Sequence, residues 1–157
     1  MRALVQRVNR ARVTVAGEEV GRIGRGLLVF VGVTHGDGES EAAWLAKRVA
    51  GLRVFEDAAG KMNVAVKEAG GSVLAVPQFT LYGDCRRGMR PDFAAAARPE
   101  EARGLFERFA AQVRAEGVPV ATGAFREHMQ VELENNGPVT LWIAREPGEA
   151  GGTPAAQ

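Results

Sequence analysis

At 157 residues, 46% of them hydrophobic and 25% charged, the chain is sized for one globular domain with its own core. A net charge of +1 excludes the broad basic excess of proteins that grip long duplexes, so a nucleic-acid partner would be held near one end by a local patch. The single cysteine, Cys85, excludes an internal disulfide and suits a reducing cytoplasm, and His35 and His128 lack metal-ligand spacing, so no metal or other cofactor is expected.

No apolar run approaches a membrane span, and the first residues lack the apolar core of a signal peptide. Residues 2–8 and 12–16 read as two short strands, with Asn9-Arg10-Ala11 turning between them. Arg7, in the first, reads as a surface arginine lying along the sheet. Leu27-Leu28-Val29-Phe30-Val31 is the most apolar run and predicts a central strand. His35 falls in a glycine-containing loop with no nucleophile or acid beside it. Residues 40–51 read as a helix capped by Asp37 or Ser40, with Trp44, Leu45 and Val49 on its apolar stripe. A short strand over 52–55, a turn at 56–61 and an irregular turn or short helix over 62–66 follow. Gly70-Gly71 then leads into a buried strand at 72–76.

That strand runs into Pro77-Gln78-Phe79-Thr80-Leu81-Tyr82-Gly83-Asp84, where an amide, a hydroxyl and an aromatic leave the sheet together. Strand ends that spill into loops often carry binding groups, although local chemistry by itself favours a Thr80 that merely caps its own backbone. Arg86, Arg87 and Arg90 form the strongest local basic patch, either a solvated loop or a phosphate contact. Phe93 packs in the core or stacks on a base. Pro99 opens a second helix whose apolar face carries Ala102, Leu105, Phe106, Phe109 and Val113, and Gly117 ends it. Met129, Val131 and Leu133 alternate with polar residues, as do Val139, Leu141 and Ile143, so Asn136-Gly137 between them predicts a hairpin. Residues 1–145 make the domain, and 146–157, rich in Pro, Gly and Ala, read as a disordered tail.

Gln78-Phe79-Thr80-Leu81 and Asn135-Asn136-Gly137-Pro138-Val139-Thr140 together resemble the paired motifs of the D-aminoacyl-tRNA deacylases. Those motifs read Ser-Gln-Phe-Thr-Leu and Asn-x-Gly-Pro-Val-Thr, and the likeness runs from Met1 to about Ala144. Pro77 departs from it, standing at the serine position. The resemblance implies an α+β fold of two curved, mainly antiparallel sheets forming a barrel-like core with helices packed outside. It also implies a homodimer with active sites at the subunit interface. A cis Gly137–Pro138 bond would aim carbonyls into the partner's site, and Arg7 would fix that motif's orientation.

The implied reaction is hydrolysis of the ester between a D-amino acid and the acceptor end of tRNA, a chiral proofreading step in translation. Backbone groups at Gln78, Phe79 and Thr80 would be catalytic. Gly137 and Pro138 would reject L side chains and let glycyl-tRNA, including mischarged glycyl-tRNA(Ala), through. Phe93 would lie near the terminal adenine, and Arg86, Arg87 and Arg90 would meet tRNA phosphates. No histidine–acid pair supports activated-serine chemistry. Two mechanisms stay open: Thr80 as nucleophile, or main-chain amides as an oxyanion hole with the ribose 2′-hydroxyl helping to activate water. Proline removes a donor and a hydroxyl at position 77, which leaves a relaxed deacylase that accepts some L substrates as one rival. A non-catalytic module that binds the tRNA end is the other.

Overall fold

The computed structural model describes residues 1–149. Its organising element is β1 (Arg2–Val15), a single 14-residue strand where two were predicted. Asn9-Arg10-Ala11 does not turn the chain. The register against its neighbour slips between Val8 and Arg10, and this irregularity absorbs the polar residues while pairing continues. One edge of β1 is split between two antiparallel partners. Arg2 to Val8 pair with β3 (Gly26–Gly32), and Ala11 to Val15 pair with β2 (Glu18–Ile23). The other edge pairs over its whole length with the last strand, β8 (Met129–Ala144).

Beyond β3 the sheet continues in parallel through β6 (Ser72–Pro77) to β7 (Val120–Thr122). β2 curls back toward β7: a Cβ on Gly21 would lie 2.5 Å from the Thr122 carbonyl oxygen. The six strands therefore make a nearly closed, barrel-like sheet, and β4 (Phe55–Glu56) with β5 (Met62–Val64) adds a separate two-stranded ribbon. The predicted α+β barrel-like class holds, with sheets of very unequal size. Residues 62–64 are a strand rather than an irregular turn.

Why β3 and β6 are apolar throughout is visible in the packing. Leu27, Val29, Val31, Val73 and Ala75 face one cluster, shared with α1 (Glu39–Gly51) and α2 (Pro99–Ala115). Leu28, Leu74 and Val76 face a second, inside the curl, with Val8, Val13 and Ile23. Burying both faces removes the polar alternation of an exposed sheet. Helix α2 seats Phe106, Phe109 and Val113 on the first cluster, and each such side chain is worth about 1.5–3 kcal/mol of burial. Its start uses Pro99 in the first turn, as predicted. Helix α1 is closed differently: Gly38 is its N-cap, and the Glu41 side chain returns to the Gly38 amide at 2.8 Å.

The predicted hairpin at Asn136-Gly137 is absent. β8 runs on as one strand, and residues 136–139 form an excursion between the pairs Gln6–Thr140 and Val8–Asn135. Asn135 closes the excursion with its side chain. Its Oδ1 accepts from the Val139 amide at 2.8 Å, and its Nδ2 donates to the Val139 carbonyl at 3.1 Å. A side-chain amide thus substitutes for a missing rung of the ladder. Of the predicted tail, Glu146 and Glu149 join in a turn, and Glu146 pairs with Arg2 at 2.9 Å. Residues 150–157 lie outside the described residues. No helix among the described residues is long and apolar enough to cross a membrane.

Candidate active site

Strand β6 delivers Pro77 opposite Val31, and the next amide, Gln78, still bonds the Val31 carbonyl at 2.8 Å. The chain then leaves the sheet in a 3-10 turn over Phe79–Tyr82. At the start of a helical turn the first amides have no acceptor behind them. Among the described residues, the Phe79 and Thr80 amides donate to no protein group. The next amide, Leu81, returns to Gln78 at 3.3 Å.

Gly32 of β3 makes room for this turn. A Cβ there would meet the Gln78 carbonyl, Leu81 Cβ and the Tyr82 ring at 3.1–3.2 Å. Arg2 holds its far end, with Nη1 donating to the Leu81 carbonyl at 3.1 Å and its guanidinium 4.1 Å from the Tyr82 ring centroid. Sequence reading gave neither residue a role. Tyr82 is buried, its hydroxyl is unpartnered, and burial pushes its pKa well above the ordinary phenol value. It packs as a neutral phenol against the Arg2 guanidinium.

The Phe79 and Thr80 side chains at the start of the turn face solvent. Phe79 is 58% exposed and meets Phe93 edge-on, ring centroids 5.1 Å apart. The Gln78 side-chain amide donates to the Thr80 hydroxyl, and among the described residues that hydroxyl has no other hydrogen-bond partner. Beside them opens a recess of about 520 Å³ whose wall includes Gln78, Phe79, Phe93, Phe106, Phe125 and Arg126. Its wall is mostly apolar, with Gln78, Arg98 and Arg126 as the polar members, the usual character of a small-ligand site. Phe125 and Arg126, and Arg98 just before α2, were not picked out from sequence. They lie outside any motif and join the recess only because β7 and α2 converge there.

Arg7 is not the exposed arginine its position suggests. It is 7% exposed, and its guanidinium donates to two main-chain carbonyls, Asn136 at 2.8 Å and Val54 at 2.5 Å. It thereby ties the 136–139 excursion to the segment before β4. Gly137 takes φ +140°, a conformation L side chains rarely adopt, and a Cβ there would lie 2.9 Å from the Val139 amide nitrogen. The Gly137–Pro138 peptide is cis. Neither Gly137 nor Pro138 lines the recess of their own chain.

The basic loop is a closed lobe, pinned by reciprocal main-chain bonds between Asp84 and Asp92 at 2.7 and 2.9 Å. Arg86 folds back onto Asp84, Nη2 to Oδ2 at 2.6 Å, and its hydrogen bonds hold the Asp84 pKa down to about 2. Arg87 and Arg90 are exposed and form no ion pair among the described residues. His35 contacts the Ala94 carbonyl, His128 lies against Gln130, and Cys85 is exposed. Among the described residues no group of acids, histidines and cysteines is arranged to hold a metal.

Comparison with known proteins agrees with this picture along almost the whole chain. Residues 4–144 match the family model described as D-Tyr-tRNA(Tyr) deacylase. A D-aminoacyl-tRNA deacylase of Symbiobacterium thermophilum is 61% identical over 146 residues, covering 93% of this chain and 97% of the relative. One from Heliobacterium modesticaldum is 57% identical over 150 residues, covering 96% of this chain and all of the relative. Among solved structures, a c-Myc DNA unwinding element binding protein superposes with a TM-score of 0.87 at 38% identity, covering 93% of this chain and 99% of that one. A probable eukaryotic D-amino acid tRNA deacylase superposes at 0.79 with 19% identity, covering 90% and 97%, and shows the common fold. The chain belongs to the D-Tyr-tRNA(Tyr) deacylase family.

Proposed function

We propose that the chain carries out its family's reaction, hydrolysis of the ester joining a D-amino acid to tRNA, at the turn formed by Gln78, Phe79 and Thr80. The observation that carries this placement is the pair of uncommitted amides, Phe79 and Thr80, at the mouth of the recess. Water adds to the ester carbonyl, and negative charge builds on the carbonyl oxygen, where the two amides can donate to it. The bond to the ribose oxygen then breaks, and that oxygen takes the proton. Rigid main-chain donors need no reorganisation as the charge appears, and one such donor is typically worth about 100- to 1000-fold in rate. Thr80 is a poor nucleophile here, since its oxygen accepts a hydrogen bond and no base adjoins it.

The recess receives the terminal nucleoside, with Phe93 and Phe79 beside its base. Arg87 and Arg90, with Arg86 when released from Asp84, meet phosphates of the acceptor end. Gly137 and Pro138 do not line the recess of their own chain, while β8 exposes Leu133, Leu141 and Trp142. Both facts favour a homodimer in which this motif completes the site of a second copy. The substrate's L side chain would collide with that rigid main chain, whereas a D side chain or glycine would not. Glycyl-tRNA is therefore a substrate too. This selection by shape is chiral proofreading, carried out in the cytoplasm.

Incubating the protein with D-tyrosyl-tRNA and L-tyrosyl-tRNA and following release of amino acid tests the reading. Cleavage of the D form alone supports it. Cleavage of both points to a relaxed deacylase made so by Pro77, and binding without cleavage points to a tRNA-end module.

A further inference from the structure

Phe106 and Phe125, which line the recess beside the Phe79–Tyr82 turn, also line a second hollow of about 280 Å³ along α2, which Arg103 and Arg114 border. Arg98 and Arg126 border the first hollow, so four arginines flank the two adjoining hollows against one carboxylate, Glu107. Among the described residues Arg98, Arg103 and Arg126 form no ion pair, and Arg114 donates only to the Val120 carbonyl.

A third hollow shows what a neutralised arginine cluster looks like in the same molecule. Arg10, Arg12 and Arg22 border about 550 Å³ between β1, β2 and β8, and each is paired, with Glu134, Glu132 and Glu19 respectively. Arg98, Arg103 and Arg126 differ from that cluster in having no carboxylate partner among the described residues. They are also placed. Arg103 sits over the Phe125 ring at 4.9 Å, and Arg126 follows that ring with φ +66°, which L residues rarely adopt.

We propose that these adjoining hollows, with the Phe106 and Phe125 rings between them, form a trough for the single-stranded 3′ end of tRNA. Resting on the reading that the terminal nucleoside occupies the recess, the strand runs from there past Phe125 along α2. Its phosphates meet Arg126, Arg98 and Arg103, whose planar forks suit phosphate oxygens. An aromatic flanked by cations is the arrangement that holds unpaired nucleotides without reading their sequence.

The test is the double variant Arg103→Gln with Arg126→Gln, assayed on D-tyrosyl-tRNA across a salt series. KM should rise about tenfold at unchanged kcat. The slope of log(kcat/KM) against log salt should shrink by about 1.4, the value for two lost single-strand phosphate contacts. Arg53→Gln with Lys61→Gln removes the same charge at the β4–β5 ribbon and should leave the slope unaltered. An unaltered slope in the trough variant overturns the proposal. So does an equal change in the ribbon variant, which would make the effect one of overall charge. A loss of dimer in the trough variant by size measurement also overturns it, making the trough a subunit contact. Phe93→Ala separates the two readings. If its KM does not rise, the recess reading fails; if it rises while the trough variant's slope stays put, only the trough fails.

Discussion

Arg7 Nε donates to the carbonyl of Asn136 at 2.8 Å, across a strand pair in which one residue of β1 faces a four-residue excursion of β8. The same guanidinium reaches Val54, and neither partner is a carboxylate. Hydrogen bonds from a charged donor contribute about 1.5–3 kcal/mol, and buried carbonyls left without them stay unsatisfied. Arg7→Met should therefore lower stability by about that amount in urea unfolding. Turnover should fall further, on the order of 100-fold, because the 136–139 excursion loses its tether. Full turnover in a folded Arg7→Met protein would remove Arg7 from the positioning of that motif.

The turn at Phe79 makes the main-chain mechanism separable from the side-chain one. Thr80→Ala leaves both amides in place and should retain substantial activity. Phe79→Pro deletes one amide and should cost about 100- to 1000-fold in kcat. Near-complete inactivation of folded Thr80→Ala would restore the hydroxyl as nucleophile.

Where the residues of the candidate site lie could largely be read from the sequence, because that placement is local. An apolar strand ended at Pro77, and an amide, an aromatic and a hydroxyl followed within three residues. The second motif was visible but misread in form. Asn-Gly between alternating strands is a hairpin signal, and nothing local announces that Asn135 will bridge to Val139 and let β8 continue. Asn9-Arg10-Ala11 misled for the same reason, since turn-like residues inside a bulged strand look like a turn. Arg7 looked exposed because its carbonyl partners at Val54 and Asn136 are distant in sequence. Arg98, Phe125 and Arg126 had no local signal at all and meet only through the packing of α2 and β7.

Gly32 was unremarked within an apolar run, yet three atoms of the turn crowd the place a Cβ would take. Gly32→Ala should displace the turn by a few tenths of an ångström. We expect a loss of kcat that outruns the loss in thermal stability, since geometry at the oxyanion matters more than burial there. Unchanged kcat would mean that the turn moves without consequence for the ester.

Asp84 holds Arg86, one of the three arginines of the basic lobe. Its carboxyl is held near 2, against an ordinary 3.8, chiefly by hydrogen bonds from Arg86. A depressed carboxylate stabilises the folded lobe above the unfolded value, and that contribution fades as pH falls from about 3.8 through about 2. Between pH 5 and 9 the pair should be pH-insensitive. Carboxyl titration by NMR should find the Asp84 midpoint near 2, moving up in Arg86→Ala. Asp84→Asn should free Arg86 and steepen the salt dependence of KM, while Arg87→Gln with Arg90→Gln should flatten it. If neither changes the slope, the lobe is solvated surface.

The shared-site arrangement can be tested by complementation. Phe79→Pro damages the turn, and Gly137→Val damages the excursion, because φ +140° and a Cβ 2.9 Å from the Val139 amide leave no room for a side chain. Each variant should be inactive alone, and each must first be shown to fold and to dimerise, since a proline beside β6 can also unfold the sheet edge. Refolding an equal mixture should make about half the dimers mixed. If the turn comes from one copy and the excursion from the other, a mixed dimer gathers both defects in one site and leaves its second site sound. Mixing should then restore roughly a quarter of wild-type activity. If each site were built within a single chain, every site in the mixed dimer would carry one defect, and no activity would return. Inactive heterodimers, verified by mass and formed from folded parents, would place Gly137 and Pro138 with the turn of their own chain.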